Sequence, residues 1–306
     1  MKNFRKEILS FLLIVFLILN VTSQNTKSSV TESDVKVEKK LKKNKRKKYR
    51  LPEIDLSHWK VTVPVNKDNR KPLEVSPPEI QNYATNEALK PYMYNDSTRA
   101  GGLVFYAYPT NSTTTNTKYS RSELREQMVP GKNNVNWTFK QGGVMKGKLS
   151  IDDISKDKNG KYHKTIVMQI HGRLTNEQRE LIGAKDNNAP PVLKIYWQNG
   201  KIRVKTKVLK LTKLYGNTLL HEAAWGNDEG FTFEQEVGFG KFTLEVKASD
   251  GKLVVSLNGN EFKVYKNIHM KKWGIFENYF KAGNYFQSRD EGSFAKIKFY
   301  ELSVSH

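Results

Sequence analysis

From Leu51 onward the hydrophobic positions recur every second residue. The segments "GLVFYAYP", "YSRSELREQ", "VMKGKLSI", "KTIVMQIHG", "VLKIYWQNGKIRVKTKV", "WGIFENYFKAGNYFQS" and "AKIKFYELSVSH" all carry this alternation, the signature of strands with one buried face. Asn199-Gly200, Asp250-Gly251 and Asn258-Gly259 lie between such runs, where these dipeptides close β-hairpins. Helix signals are few. "SPPEIQNYATNEALKP" and "TNEQRELIG" are short candidates, the second with Thr175 or Asn176 placed to cap it. There is no fixed-period repeat and no internal linker. So many antiparallel strands in about 250 residues, with no second core in sight, predict a single all-β domain, a β-sandwich or jelly roll.

The same alternation sorts polar residues into faces. In "YFKAGNYFQS" one side carries Tyr279, Lys281, Gly283, Tyr285 and Gln287, and the other Phe280, Ala282, Asn284, Phe286 and Ser288. The second set is mostly core material, while the first is an unusual face to offer water. In "YSRSELREQ", Arg121, Glu123 and Arg125 share a face, and in "TIVMQIHG" Gln169 shares one with His171 while Ile170 points away. Gathered on one sheet, these rows would offer two guanidiniums, an amide, an imidazole, an amine and two phenols. Such a set suits a carboxylate-bearing chain molecule, since arginine pairs bidentately with carboxylates. Taken singly, each row has an ordinary reading: a cross-paired charged surface, a structural histidine, a close-packed bend at a glycine.

Composition divides the chain into three. Lys2, Arg5 and Lys6 precede the apolar run "ILSFLLIVFLILNV", and small residues follow before Gln24. Residues 1–24 therefore read as an export signal, too short for a comfortable membrane span. An uncleaved anchor is the alternative. Residues 25–50, with "KVEKKLKKNKRKKYR", read as a Lys-rich disordered linker. Residues 1–50 hold 14 Lys/Arg against 4 Asp/Glu, leaving 38 against 27 in the remainder. The folded part is thus basic in its own right, which points to a polyanionic partner. Cysteine is absent, excluding disulfides, thiol catalysis and a cysteine zinc cluster. No His-Glu-x-x-His stretch occurs either, so no metal or other cofactor is expected. An export signal argues against nucleic acid as the polyanion. The expected protein is secreted, to the exterior or the periplasm, or held at the cell surface by its polycation. No stretch stands apart as an interface, so a monomer is expected.

"RSELRE", "QIHG" and "YFKAGNYFQ", with the opening "DLSHWKVTVPV" and the ending "IKFYELSVSH", resemble the signature strands and domain edges of alginate lyases of polysaccharide lyase family 7. The resemblance covers residues 51–306. It implies a two-sheet antiparallel β-jelly roll whose concave groove holds the substrate, and cleavage of alginate, or a related polyuronate, by β-elimination without an obligatory metal. Carried over by motif position, Arg121, Gln169, His171 and Tyr285 correspond to the catalytic set. Glu123, Arg125, Tyr279, Lys281 and Gln287 are expected to bind substrate. The implied roles are charge neutralisation of the uronate carboxylate by Arg121, Gln169 and His171, and acid catalysis by Tyr285. Tyr285 would also serve as base on mannuronate, and His171 as base on guluronate. Neighbouring cations are expected to lower the Tyr285 pKa. The QIH form of the middle strand is associated with guluronate-containing blocks, and internal cleavage is expected. "RLTNEQRELIGAKDNNAPP" would form a lid or groove wall. A retaining glucanase is disfavoured, since no Glu-x-Asp-x-x-Glu pattern supplies its carboxylate pair. A non-catalytic module binding acidic polysaccharide, or a lyase of another polyuronate, remains the alternative.

Overall fold

A computed structural model describes residues 52–306 except 67–70, 98–100, 111 and 114–116; the expected signal and linker lie outside the described residues. In chain order the strands are β1 (Glu53–Ile54), β2 (Trp59–Asn66), β3 (Pro72–Val75), β4 (Met93–Asn95), β5 (Leu103–Ala107), β6 (Arg121–Glu126), β7 (Trp137–Thr138), β8 (Gly143–Ile154) and β9 (Thr165–Arg173). They continue with β10 (Asn188–Gln198), β11 (Lys201–Leu209), β12 (Trp225–Asn227), β13 (Phe231–Glu236), β14 (Phe242–Ser249), β15 (Lys252–Leu257), β16 (Glu261–Tyr265), β17 (Glu277–Phe286) and β18 (Ala295–Ser305).

Two sheets face each other as a jelly roll. The smaller runs β16-β15-β14-β8-β18-β5-β4, with β1 paired to β18. The larger runs β12-β11-β10-β9-β17-β6-β2-β3, with β13 on β11 and β7 on β17. All pairings are antiparallel except the short β1–β18 contact. Each predicted hairpin forms. Asn199-Gly200 joins β10 to β11 and Asn258-Gly259 joins β15 to β16, all four residues with positive φ, while Asp250-Gly251 joins β14 to β15.

The inward faces make one hydrophobic core, to which Phe105, Leu149 and Phe299 contribute from one sheet and Leu124, Ile170 and Phe280 from the other. Two polar residues inside it are closely partnered. Asn284 on β17 donates to the carbonyls of Phe105 (3.1 Å) and Ala295 (2.7 Å) on the opposite sheet and accepts from Thr165 (2.8 Å). Glu126 accepts from the Trp137 indole (3.0 Å) and the Phe280 amide (2.9 Å), and its other oxygen meets His306 Nε2 at 2.6 Å.

Helix is as sparse as the pattern predicted, but differently placed. α1 (Asn176–Leu181) is capped by Thr175 in a capping box closed by Gln178. The "SPPEIQNYATNEALKP" segment makes only one 3-10 turn, Glu79–Asn82. A helix the alternation did not predict, α2 (Ile268–Trp273), precedes β17. Asn267 caps it by accepting from the amides of His269 and Met270, and it buries Met270 and Trp273. Its signal was present as an Asn cap followed by apolar residues three apart.

β17 departs from regular pairing within the stretch that forms the site. Ala282 pairs with Met168 and Tyr285 with Ile166, so three steps on β17 match two on β9, a bulge. Gly283 sits in it with φ of 133°, and a Cβ there would lie 2.8 Å from the Ser122 carbonyl oxygen and 3.0 Å from Glu123 Cα. Both obstacles are backbone. Gly283→Ala is therefore expected to cost roughly 1–3 kcal/mol or more, seen as a melting temperature lowered by several degrees in a thermal unfolding scan; an unchanged value would contradict the strain.

Candidate active site

β17 lies between β6 and β9, and register turns the three polar rows into one floor. Tyr285, Gly283 and Lys281 pair with Arg121, Glu123 and Arg125 on β6. On the other side, Tyr279 pairs with His171 and Lys281 with Gln169 on β9. The floor opens into a cleft of about 440 Å³ lined by Arg121, Arg125, Gln169, His171, Tyr279, Lys281 and Tyr285. Ile170, between Gln169 and His171, points into the core as expected.

At the centre is Glu123, only 1% exposed. One carboxylate oxygen accepts from Gln169 Nε2 at 2.5 Å; the other meets Arg121 Nη1 at 3.2 Å and is in contact with Lys281 Nζ. The missing side chain at Gly283 leaves room beside it. With both oxygens engaged, Glu123 faces the residues that surround it rather than a ligand. Arg121 keeps its second terminal nitrogen, Nη2, buried without a partner, and its guanidinium lies 4.0 Å over the Tyr285 ring. Orphaned buried donors are rare; this one suits an incoming carboxylate.

Two other predicted binding residues are differently occupied. Arg125 donates to the Glu126 carbonyl (2.5 Å), the Asn133 carbonyl (2.8 Å) and Asn136 Oδ1 (2.7 Å), so its polar atoms hold the framework. It also stacks 4.0 Å over Tyr279, whose ring lies against His171 at 5.2 Å and 11°. Gln287 donates to the Tyr285 carbonyl (3.0 Å) and does not line the cleft.

The protonation states follow from burial and charge. His171 Nδ1 lies 3.0 Å from the Gly172 carbonyl, which can only accept, so Nδ1 carries the proton and Nε2 a lone pair. Burial, then the Lys281 charge, drives the imidazole pKa down to about 3. Lys281 is lowered to about 8, by burial and then Arg121, against the pull of Glu123. Tyr285 departs from expectation. Arg121 and the amides of Lys118 and Tyr119 do favour the phenolate, but burial outweighs them and raises the phenol above its usual value of 10. The site thus pairs a neutral imidazole with a protonated phenol: a base and an acid.

Several cleft residues had escaped the motif reading. Lys60, Thr62 and Glu74 come from β2 and β3, and Lys194 and Lys207 from β10 and β11. Their signal was available, since extending the outward alternation to neighbouring strands includes Lys60, Thr62, Lys194 and Lys207. Thr117 and Glu222 come from connections, where no periodicity applies. The expected groove-wall segment contributes Asn188, Pro190 and Pro191 at its exit. Among the described residues no group of three or more His, Asp or Glu is placed to hold a metal ion.

Known proteins share this fold. The alginate lyase family profile matches residues 54–306. An alginate lyase of Klebsiella pneumoniae is 26% identical over 295 residues, covering 83% of this chain and 90% of its own. The solved alginate lyase A1-II', a member of polysaccharide lyase family 7, is 30% identical with a TM-score of 0.64, covering 83% of this chain and 96% of its own. A Tyr→Phe variant of that enzyme in complex with product (GGG) aligns at 30% identity and a TM-score of 0.65, over 83% and 97% of the two chains. Sequence and fold agree: this chain belongs to the alginate lyases of polysaccharide lyase family 7.

Proposed function

We propose that this alginate lyase cuts its polymer internally, prefers guluronate-containing blocks, and uses His171 as base and Tyr285 as acid. The observation that carries the reading is the pairing of a neutral His171, its Nε2 lone pair free, with a protonated Tyr285 across one cleft. The C5 proton of a uronate is weakly acidic because the adjacent carboxylate is already negative. Arg121 Nη2 and Gln169 meet that carboxylate and offset the charge that develops as the proton leaves. His171 Nε2 takes the C5 proton, the C4–O4 bond breaks as the C4–C5 double bond forms, and Tyr285 protonates the departing O4. In guluronate the proton and the leaving oxygen lie on opposite faces of the ring, which suits two separate groups. In mannuronate both lie on one face, where Tyr285 would have to ionise first against its raised pKa.

Glu123 and Arg125 act in this scheme as scaffold rather than as substrate ligands: Glu123 sets the positions of Arg121, Gln169 and Lys281, and Arg125 supports Tyr279 behind His171. Internal cleavage is supported by the extent of the lining, from Glu74 on β3 to Lys207 on β11, nearly the breadth of the sheet. The reading includes export through residues 1–24 and action as a monomer without a cofactor.

Incubation with polyguluronate, polymannuronate and mixed alginate, with chelator present, is expected to raise the ultraviolet absorbance of unsaturated uronate ends, fastest on polyguluronate. Equal or greater rates on polymannuronate would overturn the block preference. Tyr285→Phe is expected to lower kcat by about 10²–10⁴-fold with little change in KM, and His171→Asn to harm polyguluronate cleavage more than polymannuronate cleavage. The pH profile follows from the same groups. His171 stays neutral down to about pH 3, so no activity limb is expected between pH 5 and 7. Lys281 loses its positive charge as pH rises through about 8, so kcat/KM should decline there. Lys281→Met should show a lower rate below that pH and no such limb.

A further inference from the structure

Just ahead of β6, Lys118, Tyr119 and Ser120 run beside the Tyr285 phenol without joining a sheet. The first ladder pair of β6 is Arg121 with Tyr285, so the amides of Lys118 and Tyr119 lie outside the strand ladders. Both instead donate to the Tyr285 hydroxyl oxygen. The Tyr119 ring stands edge-on to that of Tyr285, with centroids 6.3 Å apart. The segment is pinned on both sides. Ser120, only 2% exposed, accepts from the Thr110 amide at 2.8 Å. Arg289, three residues beyond β17, donates through Nε to the Lys118 carbonyl at 3.0 Å and lies over the Tyr119 ring, 5.9 Å from its centroid. In a planar trans peptide the carbonyl and the N–H point in opposite directions. The Lys118 carbonyl and the Tyr119 N–H belong to one such unit, so the bond from Arg289 fixes where that N–H points: at Tyr285. A phenol has one proton to give, and amides can only donate to its oxygen. With its lone pairs taken by the two amides, the hydroxyl keeps its proton free to face the cleft that Tyr285 lines.

We infer that the Lys118 and Tyr119 amides form an anion hole for the Tyr285 oxygen, and that Arg289 is the positioning residue that aims it. This rests on the reading of Tyr285 as the acid and adds to it. When Tyr285 passes its proton to the departing O4, the phenolate left behind keeps both amide bonds, and the Arg121 guanidinium lies 4.0 Å over its ring. The charge thus develops where donors already point, and a proton from water restores the phenol before the next cut. Arg289 is exposed and does not line the cleft, so it acts through the peptide rather than on the sugar.

The test uses the full chain carrying Arg289→Met or Arg289→Lys, alone and with Tyr285→Phe. On polyguluronate, Arg289→Met should lower kcat roughly tenfold, with KM within about twofold and the melting temperature unchanged. Arg289→Lys keeps a charged donor for the Lys118 carbonyl and should recover most of that loss. An unchanged kcat in Arg289→Met, or a raised KM with kcat intact, would overturn the inference. So would a loss that comes with a lower melting temperature and is not recovered by lysine. In the Tyr285→Phe background no phenol oxygen is left for the amides to serve. Arg289→Met should therefore leave the residual rate there as it is, and a further drop would give Arg289 a role apart from Tyr285 and reject the hole. Full activity in Tyr285→Phe alone is a different failure: it would remove the acid assignment itself, and the inference with it.

Discussion

Removing a carboxylate from water costs several kcal/mol unless cations and donors replace the lost solvent, and Glu123 is almost wholly removed. Its partners supply that replacement from three strands: Arg121 from its own strand, Lys281 from β17 and Gln169 from β9. Each is a cleft residue. The buried charge therefore fixes the relative heights of β6, β17 and β9 and aims the groups that face the ligand. Arg121 illustrates the division of labour, one guanidinium nitrogen bound to Glu123 and another left without a partner. Such an arrangement has its geometry set before substrate arrives, the condition under which electrostatic stabilisation acts without reorganisation.

Burial also settles which proton sits where. The neighbourhood is strongly cationic, and charge alone would favour a phenolate at Tyr285. Desolvation acts on every group in the same cleft, however, and favours the neutral form of each. At His171 the two effects act together, since burial and nearby cations both oppose protonation. At Tyr285 they conflict, and burial prevails. An acid and a base thus coexist without exchanging their proton, as two groups driven apart by environment can.

Much of this was legible in the sequence because alternation is a strong signal. It placed Arg121, Glu123, Gln169, His171, Tyr279, Lys281 and Tyr285 on outward faces, and the register brought them together. Three hairpins and the Thr175 cap were equally local and equally readable. What alternation could not convey was occupancy. Arg125 faces outward like Arg121, yet its donors are taken by Asn133 and Asn136 from a connection, a contact no strand pattern encodes. Gln287 keeps the parity of Tyr285 but turns back onto its own strand beyond the cleft. The Tyr285 pKa was misjudged for a related reason: nearby cations can be counted in a motif, whereas the depth of a cleft cannot. α2 escaped because it lies between two alternating runs, its last residue, Trp273, opening the run that was read as continuing into β17.

The strands that make the floor also make the core, residue by residue. Asn284, which ties the two sheets, is adjacent to Tyr285; Glu126, satisfied by three donors, is adjacent to Arg125; Ile170 separates Gln169 from His171. Heritable change in this enzyme is therefore unevenly available. A floor position can vary only within limits set by the packing behind it, whereas the connections that supply Thr117 and Glu222 carry no such burden. Divergence toward new polymers, in nature or in a randomised library, should accumulate along the rim while the floor stays nearly fixed.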